Sequence, residues 1–170
     1  MNIIDSERFF FRPYCDNDFM FLISLLQDPE MMRYIGNGQT RDREGVKQFL
    51  DWIYRTYESD ANLGLKVLVR KEDNVRIGHA GLVPQTVDGK EEIEIGYWIA
   101  RDFWGHGYAT EAAKTLRNYG IHQLGRQRFI ALIQTDNIKS QQVAKKIGMT
   151  IEKEIILLGK AVFVYSVQDD

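Results

Sequence analysis

The 170-residue sequence has one cysteine, Cys15, three prolines and no strong excess of either charge. A single cysteine excludes an intramolecular disulfide, which fits a reducing compartment and predicts a cytoplasmic protein. The longest apolar run, MFLISLL (20–26), is far too short to span a bilayer, so no membrane partner is expected. The start, MNIIDSERFFF, lacks the basic segment and long apolar stretch of a secretory signal. His79, His106 and His122 have no metal-ligand spacing, and with one isolated cysteine no metal site is expected. A net charge of −2 argues against a general nucleic-acid binder.

What is present is a core. The chain is 44% apolar, enough for one globular domain over residues 1–170. FFFRP (9–13) reads as a strand ended by Pro13. Asp16 is placed to cap a helix to about Gln27, with Phe19, Ile23 and Leu26 on one face. Asp28-Pro29 restarts a short helix, NGQT (37–40) breaks it, and a longer helix carries Val46, Phe49, Leu50, Ile53 and Tyr57. The period then changes from helical to alternating. LGLKVLVR (63–70), VRIGHAGLVPQT (75–86) and EEIEIGYWIA (91–100) predict strands joined by turns too short for crossovers, hence antiparallel. A helix marked by Ala109, Ala112, Ala113, Leu116, Gly120 and Leu124 follows. RFIALIQ (128–134) is next, parallel to 91–100 because a helix intervenes. Asp136-Asn137 opens a helix ending at Gly148, and MTIEKEI and AVFVYSV close the chain as a hairpin. This order predicts an α+β fold.

The charge is spread unevenly. Residues 101–146 carry eight basic and three acidic side chains, a net +5, which leaves −7 elsewhere. The +5 segment suggests an anionic ligand and the acidic remainder a cationic one. Glu58, Asp60, Asp88, Glu91 and Glu92 are the acids placed to attract that cation.

The segment opens with ARDFWGHGYATEAA (100–113), where two glycines precede a helix. Glycine lets a ligand approach the main chain, and a helix N-terminus there favours an anion. A Walker loop needs Gly-Lys-Ser/Thr, which is absent, and a dinucleotide fingerprint needs a third glycine where Thr110 stands. In the strand before the loop, Ile93, Ile95, Tyr97 and Ile99 share one face, and Glu92, Glu94, Gly96, Trp98 and Ala100 the other. Gly96 in mid-strand suggests a bulge or a close backbone approach. Glu94 beside it is either a paired structural carboxylate or, half-buried near a pocket, a general base with a raised pKa. His106 is read as a loop residue contributing its N–H, and Cys15 as a buried or inert thiol.

GYWIARDFWGHGYATEA followed by QTDNIKSQQVAKKIGM resembles the GNAT acetyltransferases, particularly their ribosomal-protein N-acetyltransferase-like (RimJ/RimL-type) branch. The likeness runs from FFFRP through DPEMMRYI to the terminal VYSV. It implies a GNAT-like sheet splayed at its one parallel strand pair, and acetyl-CoA as cosubstrate. The family's pyrophosphate loop falls on Trp104, Gly105, His106, Gly107, Tyr108 and Ala109, with the N–H groups of 105 to Thr110 around the phosphates. Trp104 replaces the usual Gln or Arg, which should alter loop packing more than binding. The main chain of Trp98, Ile99 and Ala100 would pair with the pantetheine arm. Asn137, otherwise an N-cap, would bond the pantetheine, and Ser140, otherwise a small packed residue, would lie near the thioester sulfur. Lys146, in the same basic segment, is grouped with the cofactor-binding residues. Many relatives carry a tyrosine acid where this chain has Ala144, which leaves Ser140 to assist the thiolate and Glu94 to take the amine proton. The implied activity is direct acetyl transfer to a primary amine, first a peptide or protein N-terminus, in a monomer or homodimer. A small cationic amine such as a polyamine or aminoglycoside, or a non-catalytic acyl-CoA sensor, remain the alternatives.

Overall fold

Apolar side chains at every second position drive the middle of the chain into strands, because that period gives each sheet face its own row. The computed structural model describes residues 3–169, and its elements are β1 (Ile4–Asp5), β2 (Phe9–Pro13), α1 (Phe19–Leu26), α2 (Pro29–Met32), α3 (Arg43–Ser59), β3 (Gly64–Arg70), β4 (Arg76–Val87), β5 (Lys90–Ile99), α4 (Tyr108–His122), β6 (Arg128–Gln134), α5 (Ile138–Lys146), β7 (Thr150–Leu157) and β8 (Lys160–Gln168). The strands form one eight-stranded sheet in the order β1-β2-β3-β4-β5-β6-β8-β7. All neighbours are antiparallel except β5 and β6. The α+β class and the parallel pair match the expectation.

The two faces of the sheet bury separate cores. On one, Ile95 and Ile99 of β5 pack with Phe9, Leu116 and Phe129 beneath α4 and α5. On the other, Leu22, Leu26, Phe49 and Ile53 of α1 and α3 cover Val67 and Val83, with Trp98 alongside. α4 lies close to the sheet because Gly120 sits on the Phe129 ring; a Cβ there would be 2.3 Å from Cζ.

Two local expectations are corrected, those for Asp16 and Cys15. Asp16 does not cap α1; it accepts a hydrogen bond from the Tyr54 hydroxyl at 2.7 Å. The organiser is Asp18, fully buried, which accepts from Arg12 at 2.7 and 2.8 Å, Arg76 at 3.0 Å and the Cys15 N–H at 2.9 Å. Two guanidiniums make that position worth more to a carboxylate than an exposed cap. At Gly96 a Cβ would meet only ordinary contacts within the chain, from 3.7 Å; the tight chain-to-chain approach is at Gly81, its partner on β4, where a Cβ would be 2.0 Å from the Gly64 carbonyl oxygen. Cys15 is exposed rather than buried, its Sγ 3.4 Å from Asp18 Oδ2. Finally, β1 went unseen, because two residues are too few to display a period.

Candidate active site

β5 and β6 pair at Glu94↔Ile130, and beyond that point the parallel ladder stops. Past it they part and leave a groove of about 700 Å³, floored by residues 94–99 of β5 and 131–133 of β6 and walled by the starts of α4 and α5. Opening a parallel pair strands main-chain groups, and the site is built from them. Leu132 N–H, which loses its strand partner, donates to Glu94 Oε2 at 3.1 Å, while Gln85 Nε2 donates to Oε1 at 3.0 Å. Glu94 is partly exposed along the groove. Burial raises its pKa, an effect that the bonds from Gln85 and Leu132 only partly offset. A carboxylate so placed is a poised proton acceptor.

At the other end of β5, Ala100 N–H donates to Ile77 O at 2.8 Å on the β4 side. Strand alternation therefore turns the main-chain groups of Ile99 toward the groove. Its carbonyl accepts the Trp104 indole N–H at 2.6 Å, which fastens the glycine loop to the strand. Gly105 and Gly107 follow with φ of 83° and 78°, left-handed values that disfavour side chains. Gly107 caps α4 with no side-chain bond, and the first helical bond is Glu111 N–H to Gly107 O at 3.1 Å. The N–H groups of residues 105 to 110 find no acceptor among the described residues. The acid of this turn, Glu111, is drawn away from them by the Ser6 hydroxyl at 2.6 Å and Arg8 Nε at 2.6 Å. What remains is a row of donors at a helix start, a ready anion site.

On the facing wall Asn137 caps α5, its Oδ1 accepting Ser140 N–H at 3.3 Å. Ser140 Oγ lies 3.0 Å from the hydroxyl of Tyr97, which also donates to the Ser140 carbonyl at 3.1 Å. Burial pushes the Tyr97 phenol up to about 12, against the opposing effect of its bond to Ser140.

Residues 8–150 match the family described as Acetyltransferase (GNAT) domain. The chain belongs to the GNAT acetyltransferase family. It is accordingly an N-acetyltransferase of a family that uses acetyl-CoA. Among its relatives in Bacillus subtilis (strain 168), the uncharacterized protein YkkB is 34% identical over 161 residues, 94% of this chain and 92% of YkkB. The uncharacterized N-acetyltransferase YnaD of the same organism is 32% identical, over 88% of this chain and 83% of its own. A structure of RimL, a ribosomal L7/L12 alpha-N-protein acetyltransferase in complex with coenzyme A, superposes with a TM-score of 0.81 at 17% identity, covering 99% of each chain.

The GNAT groove brings together Glu94, Trp98, Ile99, Trp104, Gly105, Gly107, Tyr108, Ala109, Thr110, Asn137 and Ser140. Ala100 and His106 lie just outside its lining, with His106 exposed in the loop. Lys146 is not brought to it; it sits in the last turn of α5, the opposite end from Asn137. The +5 segment is likewise dispersed: Arg101 pairs with Asp28, Arg117 donates to Ile147 O and Arg128 pairs with Glu92 and Glu152. Of its basic residues Lys139 lines the groove, its Nζ 5.5 Å from the Trp104 ring centre. Sequence reasoning missed Tyr97 and Gln85 as site residues. A lone hydroxyl in the aliphatic row Ile93, Ile95, Ile99 was the available signal for Tyr97; Gln85 had none. His79 is fully buried against Tyr14 and Trp98, and burial takes its pKa down to about 3. Among the described residues no cluster of His, Cys, Asp and Glu could hold a metal, and no helix is long and apolar enough to cross a membrane.

Proposed function

We propose that this enzyme moves the acetyl group of acetyl-CoA directly to the α-amine of a peptide or protein, with acetyl-CoA lying in the groove between β5 and β6. The observation that carries the reading is the row of N–H donors at 105–110, free of internal acceptors and opening on that groove. The pyrophosphate is the anion of that row. From Ile99, where β5 ends beside that loop, to Glu94 the strand runs five residues, about 16 Å at roughly 3.3 Å each, room for an extended arm.

Each residue then has one task. Glu94 accepts a proton from the amine, directly or through one water, so that the nitrogen lone pair can attack the thioester carbonyl. The main chain of Ile99, turned toward the groove at the far end of that span, pairs with the pantetheine arm. As the new C–N bond forms, the C–S bond breaks and its electron pair goes to sulfur, where the Ser140 hydroxyl donates a hydrogen bond. No covalent enzyme intermediate is needed.

A protein acceptor is favoured by the fold shared with RimL, whose own acceptor is a ribosomal protein. The charge argument for the acceptor is weaker than the sequence suggested. Asp88 is neutralised by Lys153 at 2.7 Å and Glu92 by Arg128 at 2.8 Å. Glu91 remains exposed beside the turn of the β4–β5 hairpin. The experiment is thiol release from acetyl-CoA across a panel of short peptides with free N-termini, a polyamine and an aminoglycoside. Fastest turnover with a peptide is expected. Fastest turnover with a small amine would reassign the acceptor, and no release with any amine would favour an acyl-CoA sensor.

A further inference from the structure

Position 144, where the family resemblance points to a tyrosine acid, holds an alanine with no exposure. One helical turn earlier, Ser140 meets a tyrosine from a different element, Tyr97 on β5. Both line the groove and both are partly exposed to it. We propose that Tyr97 is a positioning residue that holds the Ser140 hydroxyl on the departing sulfur. The proposal rests on the reading of Ser140 given above.

Two protons are shared among three oxygens here: Tyr97 Oη, Ser140 Oγ at 3.0 Å and the Ser140 carbonyl at 3.1 Å. At rest, Tyr97 donates to the carbonyl and Ser140 donates to Tyr97, so both hydroxyl protons are satisfied. When the C–S bond breaks, its electron pair collects on sulfur while the amine proton is held on Glu94. The negative sulfur attracts the Ser140 proton as a hydrogen bond, and Tyr97 turns its own proton from the carbonyl to Ser140 Oγ. No heavy atom moves and no proton changes owner. The chain from Tyr97 O–H through Ser140 O–H to sulfur is polarised along its length, so each bond strengthens the next. A serine hydroxyl is too weak an acid to give its proton up outright, but as a supported donor it stabilises the thiolate without doing so. The phenol must stay protonated for this, and its raised pKa keeps it so at neutral pH.

The test is a double-mutant cycle on kcat and KM, with thiol release from acetyl-CoA as the readout. The acceptor is a hexapeptide with a free α-amine or spermidine, whichever the wild-type enzyme acetylates. Tyr97→Phe keeps the ring and removes the donor. It and Ser140→Ala are each expected to lower kcat by ~10–10²-fold, the effect of losing one hydrogen bond to a charged group, at unchanged KM for acetyl-CoA. The double variant should be no slower than Ser140→Ala alone. The acetyl-CoA-induced rise in Tm should be the same in Tyr97→Phe as in wild type. Wild-type kcat in Tyr97→Phe, losses that multiply in the double variant, or a lost Tm response would each overturn the proposal. A wild-type protein that releases no thiol with either acceptor would overturn the function itself instead.

Discussion

Glu94 is the residue on which two readings met, and its contacts show why both had force. It satisfies the Leu132 N–H that the strand opening leaves without a partner, a structural task, yet it faces the groove with a raised pKa. Glu94→Gln separates the two. The new amide can still accept from Leu132, and Gln85 can turn its own amide to accept from the new NH2, so the sheet should keep its stability. As a lost base it should lower turnover by ~10²–10⁴-fold with little change in acetyl-CoA affinity. The sign with pH follows from the shift. A base works deprotonated, so wild-type kcat/KM should fall as pH drops through a value above the ordinary ~4.3 of a glutamate. That limb should vanish in the variant, and the gap should shrink at high pH, where the free amine needs no base. A pH-independent loss in steady-state kinetics would leave Glu94 a structural carboxylate. Its candidacy was legible because a carboxylate on a central strand beside a glycine is unusual. Tyr97 was not, because its hydroxyl matters only through a helix 43 residues later.

Among the elements, α4 carries the most consequence, since its start forms the proposed anion site and its body fixes the depth of the sheet below. Gly120 sets that depth. Elsewhere a helical Gly→Ala gains up to ~1 kcal/mol, but here the added Cβ would fall 2.3 Å from the buried Phe129 ring. Overpacking of this kind costs ~1–3 kcal/mol, so Gly120→Ala should lower Tm in a calorimetric scan rather than raise it. The sequence disclosed α3, α4, β6 and both hairpins because each has a sustained period and a turn at its ends. It could not disclose β1, nor that Asp18 rather than Asp16 governs the entry to α1. That second choice depends on Arg76, brought from β4 by the tertiary fold.

On the scale of the whole molecule, Asp18 joins β2, β4 and the start of α1. Burial would raise its pKa, but the bonds from Arg12, the Cys15 N–H and Arg76 outweigh that and hold it well below the usual carboxylate range. A depressed carboxylate contributes its full stability above its unfolded pKa and loses it progressively as pH falls from there through the folded one. Asp18→Asn should therefore cost ~1.5–3 kcal/mol at neutral pH. In denaturant titrations the gap from wild type should begin to narrow where ordinary aspartates protonate and go on closing well below that range. The charge map shows the limit of sequence reading at this scale. A +5 segment was visible, yet folding disperses its cations over helix ends and ion pairs, and the anion site we propose is made of main-chain N–H groups. That claim is tested most directly by the acetyl-CoA-induced Tm shift of wild type and Gly107→Val. The wild-type protein should gain about 2.7 kcal/mol at about 100 times the dissociation constant. The variant, strained at a φ of 78° and with a side chain at the cap, should fold and show no shift. An undiminished shift in folded Gly107→Val would contradict the account.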